Sequence, residues 1–198
     1  MPAPKLPKKL PKVLSEDELV RVFKACLGSD RDSAIVQLLA DSGMRLGELV
    51  NLNHDDFNGK GNVLKVTGKT GERPVFITNY TNAVISMYCV EERPEPVAED
   101  KLFLTRDGRP LTTGRVQKIL EGIGRKAGLS QRLGPHKIRH TTATMMLRNG
   151  ANLETVRRTL GHTEIATTEI YLHLTDRDVA EAHKQFSPVT KLLARKYK

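Results

Sequence analysis

Apolar positions along the chain change period twice, and the changes outline the fold. From Ser15 the residues Ser15-Glu16-Asp17-Glu18 form a capping box, in which the serine side chain caps one orphan amide and Glu18 returns to another. A first helix to about Leu27 follows. Ile35, Leu38 and Leu39 mark the buried face of a second helix, about Asp32 to Ser42, stopped by Gly43, and a short third runs from about Arg45 to Leu52. The period then becomes two: Leu64 and Val66 alternate with Val63, Lys65 and Thr67, and Pro74-Val75-Phe76-Ile77 is a second apolar run. Gly68-Lys69-Thr70-Gly71 has turn composition, which predicts a β-hairpin over about 62–78 with Lys69 at its tip. Helical spacing resumes near Asn82–Glu91. A Pro- and acid-rich loop and a short strand at Lys101–Leu104 are expected next. Four or five more helices are predicted, at about 113–127, 136–149, 152–160, 165–173 and 176–186. The pattern is α+β and mainly α, with one small antiparallel sheet.

Composition narrows the class. With 198 residues, 38% hydrophobic and 28% charged, the chain suits one globular domain with a real core. No apolar run approaches the roughly 18 residues needed to span a bilayer, and the first residues lack a secretion signal. Residues 1–14 carry four Lys and four Pro, which reads as an extended basic linker. The residues beyond Pro188 form a basic tail, 188–198. Cys26 and Cys89 lack metal-ligand spacing and read as reduced core thiols.

Net charge is +9, which favours a polyanionic partner, although many soluble proteins are simply basic. Its distribution says more. Between Arg115 and Arg139 there are seven Lys or Arg against one acid, Glu121. Arg115, Lys118, Arg125, Lys126, Arg132 and Lys137 are therefore candidate DNA-binding residues. Aromatics make up 5% of the chain and Trp is absent, so duplex phosphate tracking fits better than base stacking on single strands.

Several local phrases carry chemistry. Arg45 opens a helix after a glycine stop and offers a planar fork of donors, though spacing alone also fits a surface pair with Glu48 at i+3. His136 and Arg139 share one face at the start of a helix entered through Gly134-Pro135, an arrangement suited to an anion. His136 and His140 have the i,i+4 spacing of a zinc motif, but Lys137 stands where that motif needs glutamate and no third ligand follows. No metal or cofactor is expected, and His140 is expected to be structural. Gly68-Lys69-Thr70 ends like a phosphate-binding loop, yet Val63 replaces the required glycine and a strand follows. Gly122, Gly124 and Gly128 miss the dinucleotide spacing by one residue. His162, after Leu160-Gly161, and Tyr171, in Thr167-Thr168-Glu169-Ile170-Tyr171, read alone as a structural histidine and a core ring with a wet hydroxyl.

Taken in order, Gly43-Met44-Arg45-Leu46-Gly47-Glu48, His136-Lys137-Ile138-Arg139-His140, Leu160-Gly161-His162 and the phrase ending at Tyr171 resemble the active-site signature of the tyrosine recombinases of the phage-integrase family, Xer-like members included. The resemblance runs from about Val13 to Pro188. It implies the helical catalytic fold of DNA breaking-rejoining enzymes over 15–187. It also implies metal-independent strand cleavage and rejoining through a 3′-phosphotyrosyl bond. By resemblance, Tyr171 is the nucleophile, Arg45, Arg139 and His162 bind the phosphate, His136 accepts a proton, and Lys69 is the general acid, with Lys65 a weaker substitute. Glu48 would orient Arg45. The family's usual N-terminal DNA-gripping domain is expected to be absent, since Leu10-Pro11-Lys12-Val13-Leu14-Ser15 resembles the junction after it. Double-stranded DNA is the implied partner. A homo-oligomer, a tetramer, is implied on DNA, with weak or no association when free, in the cytoplasm at the nucleoid. A topoisomerase-like nicking-rejoining enzyme and a non-catalytic DNA-binding module stay open as alternatives.

Overall fold

The structure is a computed structural model and describes residues 12–57, 61–68, 71–95 and 100–161. Among them the chain forms α1 (Glu16–Ala25), α2 (Asp30–Ser42), α3 (Leu46–Asn51), β1 (Val63–Gly68), β2 (Gly71–Phe76), α4 (Asn79–Glu91), α5 (Thr113–Lys126), α6 (Pro135–Arg148) and α7 (Leu153–Leu160). The mainly helical α+β pattern holds, with one two-stranded antiparallel sheet. The helices expected at 165–173 and 176–186 lie outside the described residues.

Element boundaries follow local chemistry. Ser15 Oγ accepts from the Glu18 amide while the Glu18 carboxylate accepts from the Ser15 amide, the reciprocal cap expected at α1. Helix α2 starts at Asp30, earlier than its apolar face suggests, because Ser29 Oγ accepts from the Asp32 amide. In the same way Thr78 caps α4 and moves its start to Asn79. Asp41, on α2, accepts from the Thr78 amide and from the hydroxyls of Thr78 and Thr81, so one carboxylate joins α2 to the start of α4.

The hairpin is tighter than its composition suggested. Gly68 pairs with Gly71 and Lys65 with Pro74, so both glycines belong to strands rather than to the turn. Pro74 is tolerated because each strand of a two-stranded sheet has a free edge. The strand expected at Lys101–Leu104 is not one. Lys101 bridges Asn53 and Leu104 bridges Pro110 as isolated pairs, because this short segment meets two different partners and runs alongside neither.

Helix α2 is central, packed on α4 and α6, while α1 packs on α5. Ile35, Leu38, Leu39, Leu49, Ile85 and Leu120 are buried between them. Tyr88 is fully buried, stacks on Phe103 at 5.5 Å and accepts from the Leu104 amide at 3.0 Å. Leu14, at the end of the segment expected as a linker, is also buried, and its amide donates to Thr141 Oγ1 on α6. A second apolar cluster, Ala143, Val156 and Leu160, holds α7 against α6. Among the described residues no helix is long and apolar enough to cross a membrane.

Candidate active site

The last turn of α7 is where the distant motifs meet. Gly161 closes the helix in the left-handed conformation, φ 65°, and leaves the final carbonyls facing three guanidinium groups. Arg45 Nη2 donates to Gly161 O at 3.0 Å and Arg139 Nη2 to Leu160 O at 2.8 Å. Arg73 Nη1 donates to Thr159 O at 3.2 Å. Each arginine comes from a different element: the residue before α3, the middle of α6, and β2. The negative end of a helix dipole attracts such cations, and the carbonyls lack intrahelical partners.

Two glycines make the approach possible. Gly43 ends α2 at φ 60°, and a Cβ there would lie 2.5 Å from Leu160 Cδ2. Its carbonyl also accepts from Arg139 Nη1, so one residue both admits α7 and holds the Arg139 fork. At Gly161 a Cβ would fall 2.6 Å from Arg73 Nε. Both glycines combine positive φ with a close neighbour, which excludes a side chain on two grounds.

Glu48 lies beneath this cluster, 3% exposed. Its carboxylate accepts from the Arg45 amide (2.8 Å) and Arg45 Nη1 (3.2 Å), and from Arg73 Nη2 (2.9 Å) and Nε (3.2 Å). Burial pushes this carboxyl up, but the Arg73 bonds, the Arg45 amide and both positive charges outweigh it and hold the pKa below the ordinary value. The pairing of Arg45 with Glu48 that spacing alone allowed is therefore real. It coexists with the convergence on α7, because a guanidinium has donors enough for both. The Arg45 side chain is 46% exposed, so part of its fork faces solvent, while Arg139 is 8% exposed.

His136 is exposed in the first turn of α6, one turn before Arg139 and just after the N1 proline. His140 is half-buried on the same helix. Its pKa is lowered, first by burial and then by the charges of His136 and Arg139. Among the described residues no cluster of three or more His, Cys, Asp or Glu is arranged to hold a metal. Lys69, His162 and Tyr171 lie outside the described residues. Gly161 and Gly68, the described neighbours of His162 and Lys69, lie at the arginine cluster. Gly161 accepts from Arg45, and a Cβ on Gly68 would lie 3.1 Å from Glu48 Oε1. Lys65 is exposed on β1 and pairs with Glu72 at 2.7 Å, a bond that raises its pKa, so it faces a strand partner rather than the arginine cluster.

Arg73 was not singled out from sequence. Within Gly71-Glu72-Arg73-Pro74 it reads as an ordinary strand residue. Only the fold reveals that its side chain crosses to α3 and α7.

Of the candidate DNA-binding residues, Arg115, Lys118, Arg125 and Lys126 are exposed on α5 at intervals of three, seven and one, which puts them on one face opposite buried Val116, Leu120 and Ile123. They form one basic stripe. Arg132 is exposed beyond the helix but pairs with Glu121, and Lys137 donates to Gln131 at 2.8 Å. Of these two, Arg132 contributes less free charge to the surface, because Glu121 offsets it.

The Phage integrase family profile matches residues 12–178. The chain belongs to the phage integrase family. It is similar to tyrosine recombinase XerD of Listeria innocua, 35% identical over 194 residues, which cover 93% of this chain and 65% of that protein. It is also similar to tyrosine recombinase XerD of Staphylococcus aureus, 33% identical over 194 residues, covering 94% of this chain and 66% of that one. The chain thus spans about two-thirds of the length of these relatives. Among solved structures, XerA recombinase aligns with a TM-score of 0.82 at 33% identity, over 94% of this chain and 67% of that one. XerH recombinase bound to a palindromic difH substrate, a post-cleavage complex, aligns at 0.75 and 26% identity, over 89% and 53%. The fold is that of the tyrosine recombinase catalytic domain, as the sequence phrases implied.

Proposed function

We propose that the chain is the catalytic domain of a site-specific DNA recombinase that cuts and rejoins duplex DNA through a 3′-phosphotyrosyl intermediate at Tyr171. The observation that carries this reading is the meeting of Arg45 and Arg139, separated by more than half the described chain, on adjacent carbonyls of the turn before His162. The assignment of the remaining roles rests on family membership.

In the reaction the Tyr171 phenolic oxygen attacks a backbone phosphorus, the P–Oη bond forms and the P–O5′ bond breaks. A 5′-hydroxyl of a second strand later reverses the exchange, so the bond energy stays in the linkage. A phenol of pKa about 10 costs about 4 kcal/mol to ionise at pH 7 unless the site helps. Neighbouring guanidinium charges lower that cost, and His136 accepts the proton. As negative charge grows on the phosphoryl oxygens, Arg45, Arg139 and His162 stabilise it. Lys69, following Gly68 at the edge of Glu48, protonates the departing 5′-oxygen. The basic stripe of α5 adds duplex affinity of the salt-dependent kind.

Residues 15–187 make up the catalytic unit and 188–198 a basic tail, with tetramer formation reserved for the DNA-bound state and the nucleoid as the place of action. Incubating the chain at low salt with end-labelled nicked duplexes, randomised around the nick, tests the reading. A protein-linked band on a denaturing gel, absent with Tyr171→Phe, is expected. No covalent adduct from the wild-type chain, or an equal one from the Tyr171→Phe chain, overturns it.

A further inference from the structure

The four hydrogen bonds on Glu48 divide evenly between two arginines. Oε1 accepts from Arg45 Nη1 and Arg73 Nε, and Oε2 from the Arg45 amide and Arg73 Nη2. A carboxylate has about four acceptor positions, so this one is saturated. Each of the three Arg73 nitrogens donates to a protein acceptor, with Nη1 going to Thr159 O. Its side chain is 17% exposed against 46% for Arg45. Of the two arginines on this carboxylate, Arg45 is the one open to a ligand.

We propose that Arg73 is a positioning residue for strand cleavage: it supplies the counter-charge for Glu48, so that the carboxylate orients Arg45 without cancelling its charge, and it ties the hairpin to the final turn of α7. The inference rests on the reading of Arg45 as a phosphate-binding group. Arg45, Arg73 and Arg139 against Glu48 leave the site with two net positive charges. Without Arg73 one remains, and the Arg45 guanidinium is held by an unneutralised buried carboxylate instead of facing a phosphate. Charge pairing in a partly buried site is felt far more strongly than at an exposed surface. The left-handed Gly161 is part of the same device, because a side chain there would occupy the position of Arg73 Nε.

This assigns Arg73 a role distinguishable from plain scaffolding. The test measures single-turnover adduct formation by the full chain on a nicked duplex that the wild type cleaves. It compares the wild type with Arg73→Gln, Glu48→Gln, the double variant and Arg45→Lys. Arg73→Gln is expected to cleave about 10- to 100-fold more slowly, the scale set by loss of one electrostatic group. Adding Glu48→Gln to Arg73→Gln is expected to restore about fivefold or more, because it removes the charge that captures Arg45; that scale corresponds to recovering part of one electrostatic group. A purely architectural Arg73 predicts a double variant no faster than the single one. The slope of log affinity against log salt is expected to stay at the wild-type value in Arg73→Gln, since Arg73 touches no phosphate.

Wild-type cleavage by Arg73→Gln, or a double variant no faster than it, overturns the assignment of Arg73. Wild-type cleavage by Arg45→Lys overturns the functional reading beneath it. Should Arg73→Gln lose its helical circular dichroism, Arg73→Lys takes its place. One ammonium is a point charge that cannot reproduce the planar fork spanning Glu48 and Thr159 O, so a loss of about tenfold supports the proposal and an unchanged rate overturns it.

Discussion

Arg45 and Arg139 donate to consecutive carbonyls, Gly161 O at 3.0 Å and Leu160 O at 2.8 Å. This pair fixes two planar forks relative to each other before any DNA arrives. Preorganised donors of this kind need no reorganisation as charge develops, which is why they contribute strongly to phosphoryl transfer.

Replacing either fork by a point charge should show how much geometry matters. Arg45→Lys and Arg139→Lys keep the charge but cannot reproduce the planar fork that reaches the α7 carbonyls and a phosphate together. Adduct formation is expected to fall about 10²- to 10³-fold in each, measured as single-turnover cleavage of nicked duplex. Arg45→Lys should fold normally, because its side chain is half exposed. Arg139→Lys should also lose stability, since it leaves Gly43 O and Leu160 O without their donor.

Gly161 is held at φ 65° against Arg73. Gly161→Ala is expected to cost about 1–2 kcal/mol from the left-handed backbone alone. It should also reduce cleavage by displacing Arg73. Thermal melting and adduct formation measured on the same sample check both, and unchanged values in both would contradict the packing described.

Leu160 is buried where α7 meets α6 and Gly43. Leu160→Ala is expected to destabilise by about 2–5 kcal/mol, the range for removing a buried leucine side chain. Because the two carbonyls that hold Arg45 and Arg139 sit on this same turn, cleavage should fall with it. Urea unfolding followed by circular dichroism measures the first effect.

Glu48 makes stability depend on pH in a defined direction. Its folded pKa is lowered, so its contribution is present above the ordinary carboxylate range and fades as pH falls through the folded value. Glu48→Gln is expected to destabilise at pH 7 by about 3 kcal/mol, the scale for removing one partner of a buried ion pair. The difference from wild type should shrink as pH falls below the ordinary glutamate pKa of about 4.3 towards the lower folded value. A gap that widens on acidification would contradict the pairing.

The sites differ in how legible they were in the chain itself. Gly43, Arg45, His136, Arg139, Gly161, His162 and Tyr171 stand in recognisable local phrases, and the helices around them follow from capping residues and apolar spacing. The glycine stops at 43 and 161 were readable because a left-handed helix end has one preferred residue. By contrast, the short strand at Lys101–Leu104 was misread, since an apolar run does not reveal that its neighbours change from Asn53 to Pro110. Nor could the α5 pattern show that the charge of Arg132 is spent on Glu121.

What the sequence alone determined was the order of the helices, the hairpin, the basic stripe of α5 and the family to which the chain belongs. All of these depend on near neighbours or on phrases that survive in linear form. What only the tertiary structure decided was which carbonyls the arginines hold, that Glu48 serves two of them, and that Arg73 belongs to the site. Apart from the local Arg45–Glu48 pair, those relations join residues 21 to 116 positions apart. No local propensity encodes such a pairing; it exists only once α2, α6 and α7 have packed and brought the end of one helix against the side chains of the others.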